Sequence, residues 1–581
     1  MHWLKAFLLL VIFQFTSAGM LEAEAQTPGA PSEAASAFEH TVREFIDAEL
    51  KLYPERATAL GDHRFDAFVD DHSAAGIARA VSHADRWAEI FRRFDTRSLS
   101  SNDRADREWL LAKIDGELLW TRQVRLYERD PGMYLPTASV YELIRRNFAP
   151  RGIRMRAVTA REKAALANLR AARANLNPAR VPQVAIDIVL QQMPATLAFF
   201  QTSLPAAFDK VSGGPDKTAF RAANAEAISE IEDYGKWLRT ELRPHARGSY
   251  AIGADAYRRM LADEDMVDIP LHKLEQIGDA EMRRLQAQFA ATARLIDTKH
   301  SPAEVAAALG REHPGSDQVI SSVSAGLSSI RAYVVNHNLV RFPSAAAPIV
   351  AETPPFMRAT TFASTDSPGP FEKTAEAYFY VTLPDPGWPK QKQEQLLAFY
   401  SPPTISDTSV HEVYPGHYVQ FLINRLNHDL VRAIYHSGAD VEGWALYCEQ
   451  MMLDEGLHND EPRFRLAQLQ MALLRACRYL VAIRMHTHGM TVAQATAFFE
   501  KNAYQNHHNA EVEALRGTED PGYLRYQLGK LMILKLREDV EQKEGTAFRI
   551  VEFHDAFLNE GAIPVPLIRR AMLGESSGPP L

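Results

Sequence analysis

From about residue 36 to 335 the apolar positions recur every three to four residues. The stretch Ala35, Ala37, Phe38, His40, Thr41, Phe45, Ile46, Leu50 sets the pattern, which has the 3.6-residue period of an amphipathic helix. Strict alternation, the signature of a strand, is scarce here. Breaks come at Tyr53-Pro54, Asp130-Pro131-Gly132, Ala149-Pro150, Asn177-Pro178, Gly213-Gly214-Pro215 and Arg243-Pro244. They predict a series of antiparallel helices. Residues 340 to 403 have a different texture, with frequent Pro and clustered β-branched and aromatic residues. Three short strands are expected there, at Pro348–Ala351, Arg358–Phe362 and Ala377–Thr382. Helical periodicity then returns. Helices are predicted over about Ser409–Leu426, from an N-cap at Asp440 onward, over about Arg463–His486 and around Leu531–Glu541. The pattern predicts a mainly α fold, with two helical lobes around a deep cleft and one small β-sheet. The lobes are placed at 27–340 and 341–581, as one cooperative unit.

Composition narrows the class. The chain has 581 residues, 46% of them hydrophobic, enough for a sizeable core. A net charge of -9 gives no basic footprint for nucleic acid. Two cysteines, Cys448 and Cys477, exclude a disulfide framework, and both fall on apolar helical patterns as expected of buried thiols. The start of the chain changes the picture most. Lys5 precedes the apolar run Ala6–Phe15, which is too short to span a bilayer as a helix, and Ala23-Glu24-Ala25 suits cleavage. Residues 1–25 therefore read as a signal peptide cleaved near Ala25. No Cys follows the run, so no stable membrane anchor is expected. The mature protein is expected to be exported, either periplasmic or secreted.

The chemistry concentrates in His411-Glu412-Val413-Tyr414-Pro415-Gly416-His417. Two neutral imidazoles can bind zinc, and a Glu beside the first can act as general base on water. In H-E-x-x-H the two His share one helix face. Here the spacing is i, i+6, which an undistorted helix would place about 240° apart. Pro415 cannot donate its amide, and Gly416 tolerates unusual dihedrals. A bulged turn that returns His417 to His411 is therefore expected. Downstream comes Glu442-Gly443-Trp444-Ala445-Leu446-Tyr447-Cys448-Glu449. Glu442 and Glu449 are seven apart, on one helix face. One can bind the ion, and the other can hold a ligand by hydrogen bonding.

Together these segments resemble a bacterial domain-of-unknown-function family with H-E-x-x-P-G-H and E-G-W-A-x-Y-x-E motifs, grouped with the gluzincin metallopeptidases. The resemblance implies a zincin-like fold, with Zn2+ held by His411, His417 and Glu442 and with Glu412 as the base. The stretch Asp520-Pro521-Gly522-Tyr523-Leu524-Arg525-Tyr526 matches a family pattern and is similar to P-Y-I-R-Y of angiotensin-converting-type peptidases. That likeness makes Tyr526 a catalytic donor to the oxyanion, with Arg525 and Tyr523 as substrate contacts. His486 closes the family's R-A-x-R-L-V-V-D-T-G-x-H, but Ala482-Ile483-Arg484 stands here in place of its Asp-Thr-Gly. His486 is carried as a further substrate contact. Arg475 and Arg478, on the same helix, are read as substrate anchors or structural ion-pair partners. The turn Asp62-His63-Arg64-Phe65-Asp66 is read as a salt-bridged turn. An edge strand beside a metal can pair with a substrate backbone, and Ala377–Thr382 is the candidate. The function expected is an exported zinc metallopeptidase, a hydrolase of oligopeptides. The alternatives are a metal-dependent amidase or esterase and a non-catalytic zinc-binding protein; an intact Glu412 disfavours the last.

Overall fold

The computed structural model describes residues 33–354, 357–358, 361–374 and 376–581. The signal-peptide expectation lies outside these residues. The fold is mainly α, with 70% helix against 3% strand. Most anticipated breaks fall between α-helices, while Arg243-Pro244 lies in a 3-10 turn, Arg243–His245. Glu33–Leu52 stops before Pro54–Ala59, Arg151–Asn175 starts after Pro150, and Pro215–Trp237 starts after Gly214. In each case Pro occupies or precedes the first helical turn, where its missing N–H costs nothing.

The Pro462–Thr487 helix is the axis of the larger core. Leu473, Cys477, Leu480, Ala482 and Ile483 on it are fully buried. It is long and apolar enough to cross a membrane, as is Gln183–Ala207, but its apolar window is 83% buried inside the protein. Cys448 and Cys477 are buried free thiols. Among the described residues most buried apolar side chains form two clusters. One joins residues of Phe38–Val124 to residues from Ala256 onward, and the other is built from Tyr134 to Ala246. The residues of 134–246 thus bring a buried cluster of their own.

Among the described residues there is one three-stranded sheet, ordered β1 (Ile349–Glu352), β3 (Tyr378–Val381), β2 (Ala363–Asp366). β1 pairs parallel to β3 and β2 antiparallel to it. Two of the expected strands fall within a residue or two of β1 and β3. The third is corrected: the strand is Ala363–Asp366, just beyond Arg358–Phe362. The edge-strand expectation is also corrected. β3 lies in the middle with both sides paired, so Ala377–Thr382 has no free edge, and the strand facing the site is β2.

Candidate metal centre

The expected single bulged helix is two helices. Pro402–Glu412 ends at His411-Glu412, and His417–Asn424 begins after four intervening residues. Between them Val413 and Tyr414 both direct their N–H to the Ser409 carbonyl, and Gly416 N–H donates to Val410 O at 3.1 Å. The chain folds back on the first helix so tightly that a Cβ on Gly416 would lie 1.8 Å from the His411 carbonyl oxygen. Only glycine fits. The fold-back brings the two imidazoles together, with centroids 4.8 Å apart and planes at 85°.

The third member comes from the Gly438–Asp454 helix. Its N-cap is Ser437, whose hydroxyl accepts from Asp440 N–H; Asp440, expected as the cap, lies inside the first turn. There it is fully buried and accepts from Gln420 Nε2 at 2.6 Å, tying this helix to the His417 helix. Trp444 Nε1 donates to the Pro415 carbonyl at 3.0 Å, a second tie between the two motifs. Glu442 Oε2 then lies 3.5 Å from His417 Nε2 and 3.9 Å from His411 Nε2. One ligand atom from each of His411, His417 and Glu442 falls within 4.8 Å of the others. Among the described residues Glu442 Oε2 is buried with no hydrogen-bond partner. Two imidazole nitrogens and an orphaned carboxylate oxygen suit a zinc ion with an open position.

Glu449, two turns on, has the other task. His411 Nδ1–H donates to Glu449 Oε1 at 2.7 Å, which turns Nε2 toward Glu442. Burial and the neighbouring His417 hold His411 down at about 3, so it stays neutral and able to ligate. Burial would raise Glu442, but the adjacent His417 imidazole outweighs it and brings the carboxyl to about 2. Glu442 is therefore an anion.

The cluster opens on a cavity of about 770 Å³, also lined by Glu412, Tyr526, Arg475 and Arg516. This volume suits a small ligand or short peptide. The Glu412 carbonyl accepts from Thr365 Oγ1 of β2 at 2.6 Å, which seats the sheet against Glu412. The Tyr526 ring stacks on His411 with centroids 6.4 Å apart, and Arg516 Nη2 donates to its hydroxyl oxygen at 3.2 Å.

The other three candidates are not at the cavity. Arg525 pairs with Glu264 and Asp265. Asp265 also accepts from Ser437 Oγ and Ala439 N–H, so Arg525 fixes the start of the Glu442 helix rather than touching substrate. Tyr523 is 1% exposed and packed against Gly517. His486 is buried and hydrogen-bonded through Nε2 to the Gly517 carbonyl at 2.8 Å. Arg484, standing in the departed triplet, pairs with Glu275 and Asp279. The Asp62–Asp66 turn is closed by its own ion pairs: Arg64 to Asp62, and His63 to Asp66 and Glu372. Sequence reasoning missed Arg516 and Glu513. Both line the cavity from the His507–Glu519 helix. It also missed Gln191 and Gln192, which line the cavity from the Gln183–Ala198 helix and carry no motif.

Residues 54–572 match the model of a family described as "Bacterial protein of unknown function (DUF885)". No curated protein matches the sequence. A solved structure of a candidate lipoprotein of unknown function from Shewanella oneidensis is 26% identical, with TM-score 0.78 over 92% of this chain and 99% of that one. A candidate lipoprotein from Colwellia psychrerythraea is 17% identical, with TM-score 0.76 over 93% and 98%. Metallocarboxypeptidase 1 of Trypanosoma cruzi is far more distant, with TM-score 0.36 and 11% identity over 93% and 94%.

Proposed function

The chain belongs to the DUF885 family of bacterial proteins, and from that premise we propose that it is an exported zinc peptidase acting on short peptides. The observation that carries this reading is the buried His411–His417–Glu442 cluster at the wall of a peptide-sized cavity, with Glu412 beside it. Zinc held by these three side chains would supply the Lewis acid that polarises a scissile carbonyl. Glu412 accepts a proton from the attacking water and returns it to the leaving amine. Because Arg516 donates to the Tyr526 oxygen, the phenolic hydrogen is free to point at a developing oxyanion. The open edge of β2 offers backbone groups to an extended peptide. Export is supported by the apolar run Ala6–Phe15 and by two structural relatives described as candidate lipoproteins.

Elemental analysis of the purified protein, with a peptide library profiled before and after chelation, tests this. We expect one zinc per chain, lost in His411→Ala and His417→Ala, and cleavage that stops on chelation. Stoichiometric zinc in both variants would remove the site. Hydrolysis of simple amides or esters with no peptide cleaved would move the function to a metal-dependent amidase or esterase.

A further inference from the structure

Arg475 is a buried cation in the cavity wall, and no carboxylate of the described residues lies close to it. It projects from the Pro462–Thr487 helix, and 9% of its side chain is exposed. Its Nε is buried and makes no hydrogen bond. Its Nη1 reaches the Met471 carbonyl of its own helix at 3.5 Å, the margin of a hydrogen bond. The one carboxylate within ion-pair reach among the described residues, Glu449 Oε1, is 3.9 Å away. That oxygen already accepts from His411 Nδ1 at 2.7 Å. One turn on, Arg478 shows the satisfied alternative, with two 2.7 Å bonds to Glu513. A guanidinium carries five donors in a planar fork that fits a carboxylate, and dry walls rarely leave such donors idle. The acceptor missing from the protein is one that a ligand can bring.

We propose that Arg475 receives the free C-terminal carboxylate of the peptide, so that cleavage removes one or two residues from the carboxyl end. The reach follows from the contacts. Glu449 Oε1 lies between Arg475 and His411, 3.9 Å from the guanidinium and 2.7 Å from the imidazole, so the two are near each other on one side of the cluster. An extended residue spans about 3.3–3.6 Å, which leaves room for no more than one or two residues between the carboxylate and the scissile bond. An amino terminus is excluded at this position by like charge. This assignment rests on the peptidase reading above.

The test uses the zinc-loaded full chain and three otherwise neutral peptides: a free acid, its C-terminal amide, and the amide with Glu as the last side chain. The wild type should favour the acid over the plain amide by about 10- to 100-fold in kcat/KM, the effect of a charge-assisted contact. Arg475→Gln should erase that preference by raising KM for the acid and leaving the amide unchanged, and Arg475→Lys should restore part of it. Equal rates on acid and amide in the wild type would overturn the proposal. So would an Arg475→Gln variant that keeps its zinc and slows both peptides alike. Rates on the Glu-bearing amide that match the acid would assign Arg475 to a side-chain carboxylate and overturn the terminal one. Calorimetric binding of the same peptides separates the two layers of the argument. Preferential binding of the acid with no hydrolysis keeps the carboxylate site and removes the peptidase reading, and equal binding removes the carboxylate site.

Discussion

Glu442 and Glu449 are the same residue type on one helix face, yet their partners give them opposite duties. Glu442 has an orphaned oxygen facing two imidazoles, whereas Glu449 spends an oxygen on His411 Nδ1. Glu442→Gln should therefore lose zinc outright, and Glu449→Gln should weaken it by about 10- to 100-fold, as removal of a ligand-orienting partner does. Glu412→Gln should retain zinc and lose about 10²- to 10⁴-fold in kcat. Zinc loss in Glu412→Gln, or zinc binding as tight as wild type in Glu442→Gln, would reassign the roles. Tyr526→Phe should cost about 10²–10³ in kcat with KM and zinc unchanged, since a donor aimed at the oxyanion acts in the transition state. An unaltered kcat would take Tyr526 out of the reaction. These residues were legible because type and spacing announce them. Arg525 and His486 were not, because their partners, Asp265 and Gly517, are far away in sequence; Tyr523 packs on Gly517 only six residues back, but across a chain reversal that no local pattern reveals. Far from the site, Glu162 on the Arg151–Asn175 helix is fully buried and neither of its oxygens has a hydrogen-bond partner. Burial pushes its carboxyl up to about 8. The folded state therefore holds a proton that the unfolded chain releases near about 4.3, and its contribution to stability is full below that value and lost as pH rises through 8. Glu162→Gln should gain on wild type by roughly 1–3 kcal/mol in unfolding free energy between pH 5 and 9. A pH-independent difference in urea midpoints would show that the carboxyl is solvated.

At the scale of elements, the site depends on close backbone approaches that only glycine permits. Gly416 lets the chain fold back on the His411 helix. Gly443 and Gly529 let the Gly438–Asp454 and Arg525–Glu544 helices cross so closely that a Cβ on Gly529 would lie 1.6 Å from the Ala439 carbonyl oxygen. That crossing sets Glu442 relative to Tyr526, since each is on one of the two helices. Gly416→Ala should separate the imidazoles and reduce zinc affinity by more than 10-fold, roughly the effect of misplacing one ligand. Gly529→Ala should lower the melting temperature and kcat while leaving zinc content near wild type. An active, fully metallated Gly416→Ala would show that the turn has a second solution. Helix ends were legible where Pro and Gly sit at first turns and breaks, as at Pro150 and Gly214. The interruption between Glu412 and His417 was legible as a distortion but not as two helices, because its hydrogen bonds run back to Ser409 and Val410 in a way that no periodicity encodes. The order of the sheet was hidden for a similar reason. The cluster of aromatic and β-branched residues marks β3 as a strand, but its central place depends on pairing with β1 and β2 across loops.

At the scale of the molecule, the cavity is walled from both buried clusters. Ile186, Val189 and Met193 of the Gln183–Ala198 helix pack into the smaller core, while Ile188, Gln191 and Gln192 on its other face line the cavity. The smaller core therefore forms a wall of the site that the larger core cannot supply. Its hold on the sheet is concentrated at Arg146, just past the Thr137–Arg145 helix. Arg146 is 1% exposed and pairs with Asp366 at the end of β2; Arg145 reaches the same carboxylate at 3.2 Å. Breaking a buried pair from one side leaves the other charge poorly compensated. With Arg145 still in place, Arg146→Met should cost roughly 2–4 kcal/mol, somewhat less than loss of an isolated buried pair. The effect should also be local. β2 carries Thr365, which holds the Glu412 carbonyl, so a loosened β2 disturbs the base without touching the metal ligands. We expect faster amide hydrogen exchange in β2 and across residues 134–246, retained zinc, and a kcat/KM that falls more steeply than the melting temperature accounts for. A variant with a lowered melting temperature but unchanged exchange in β2 would mean that the wall is held by apolar packing instead. The ion pair would then be incidental to the shape of the site.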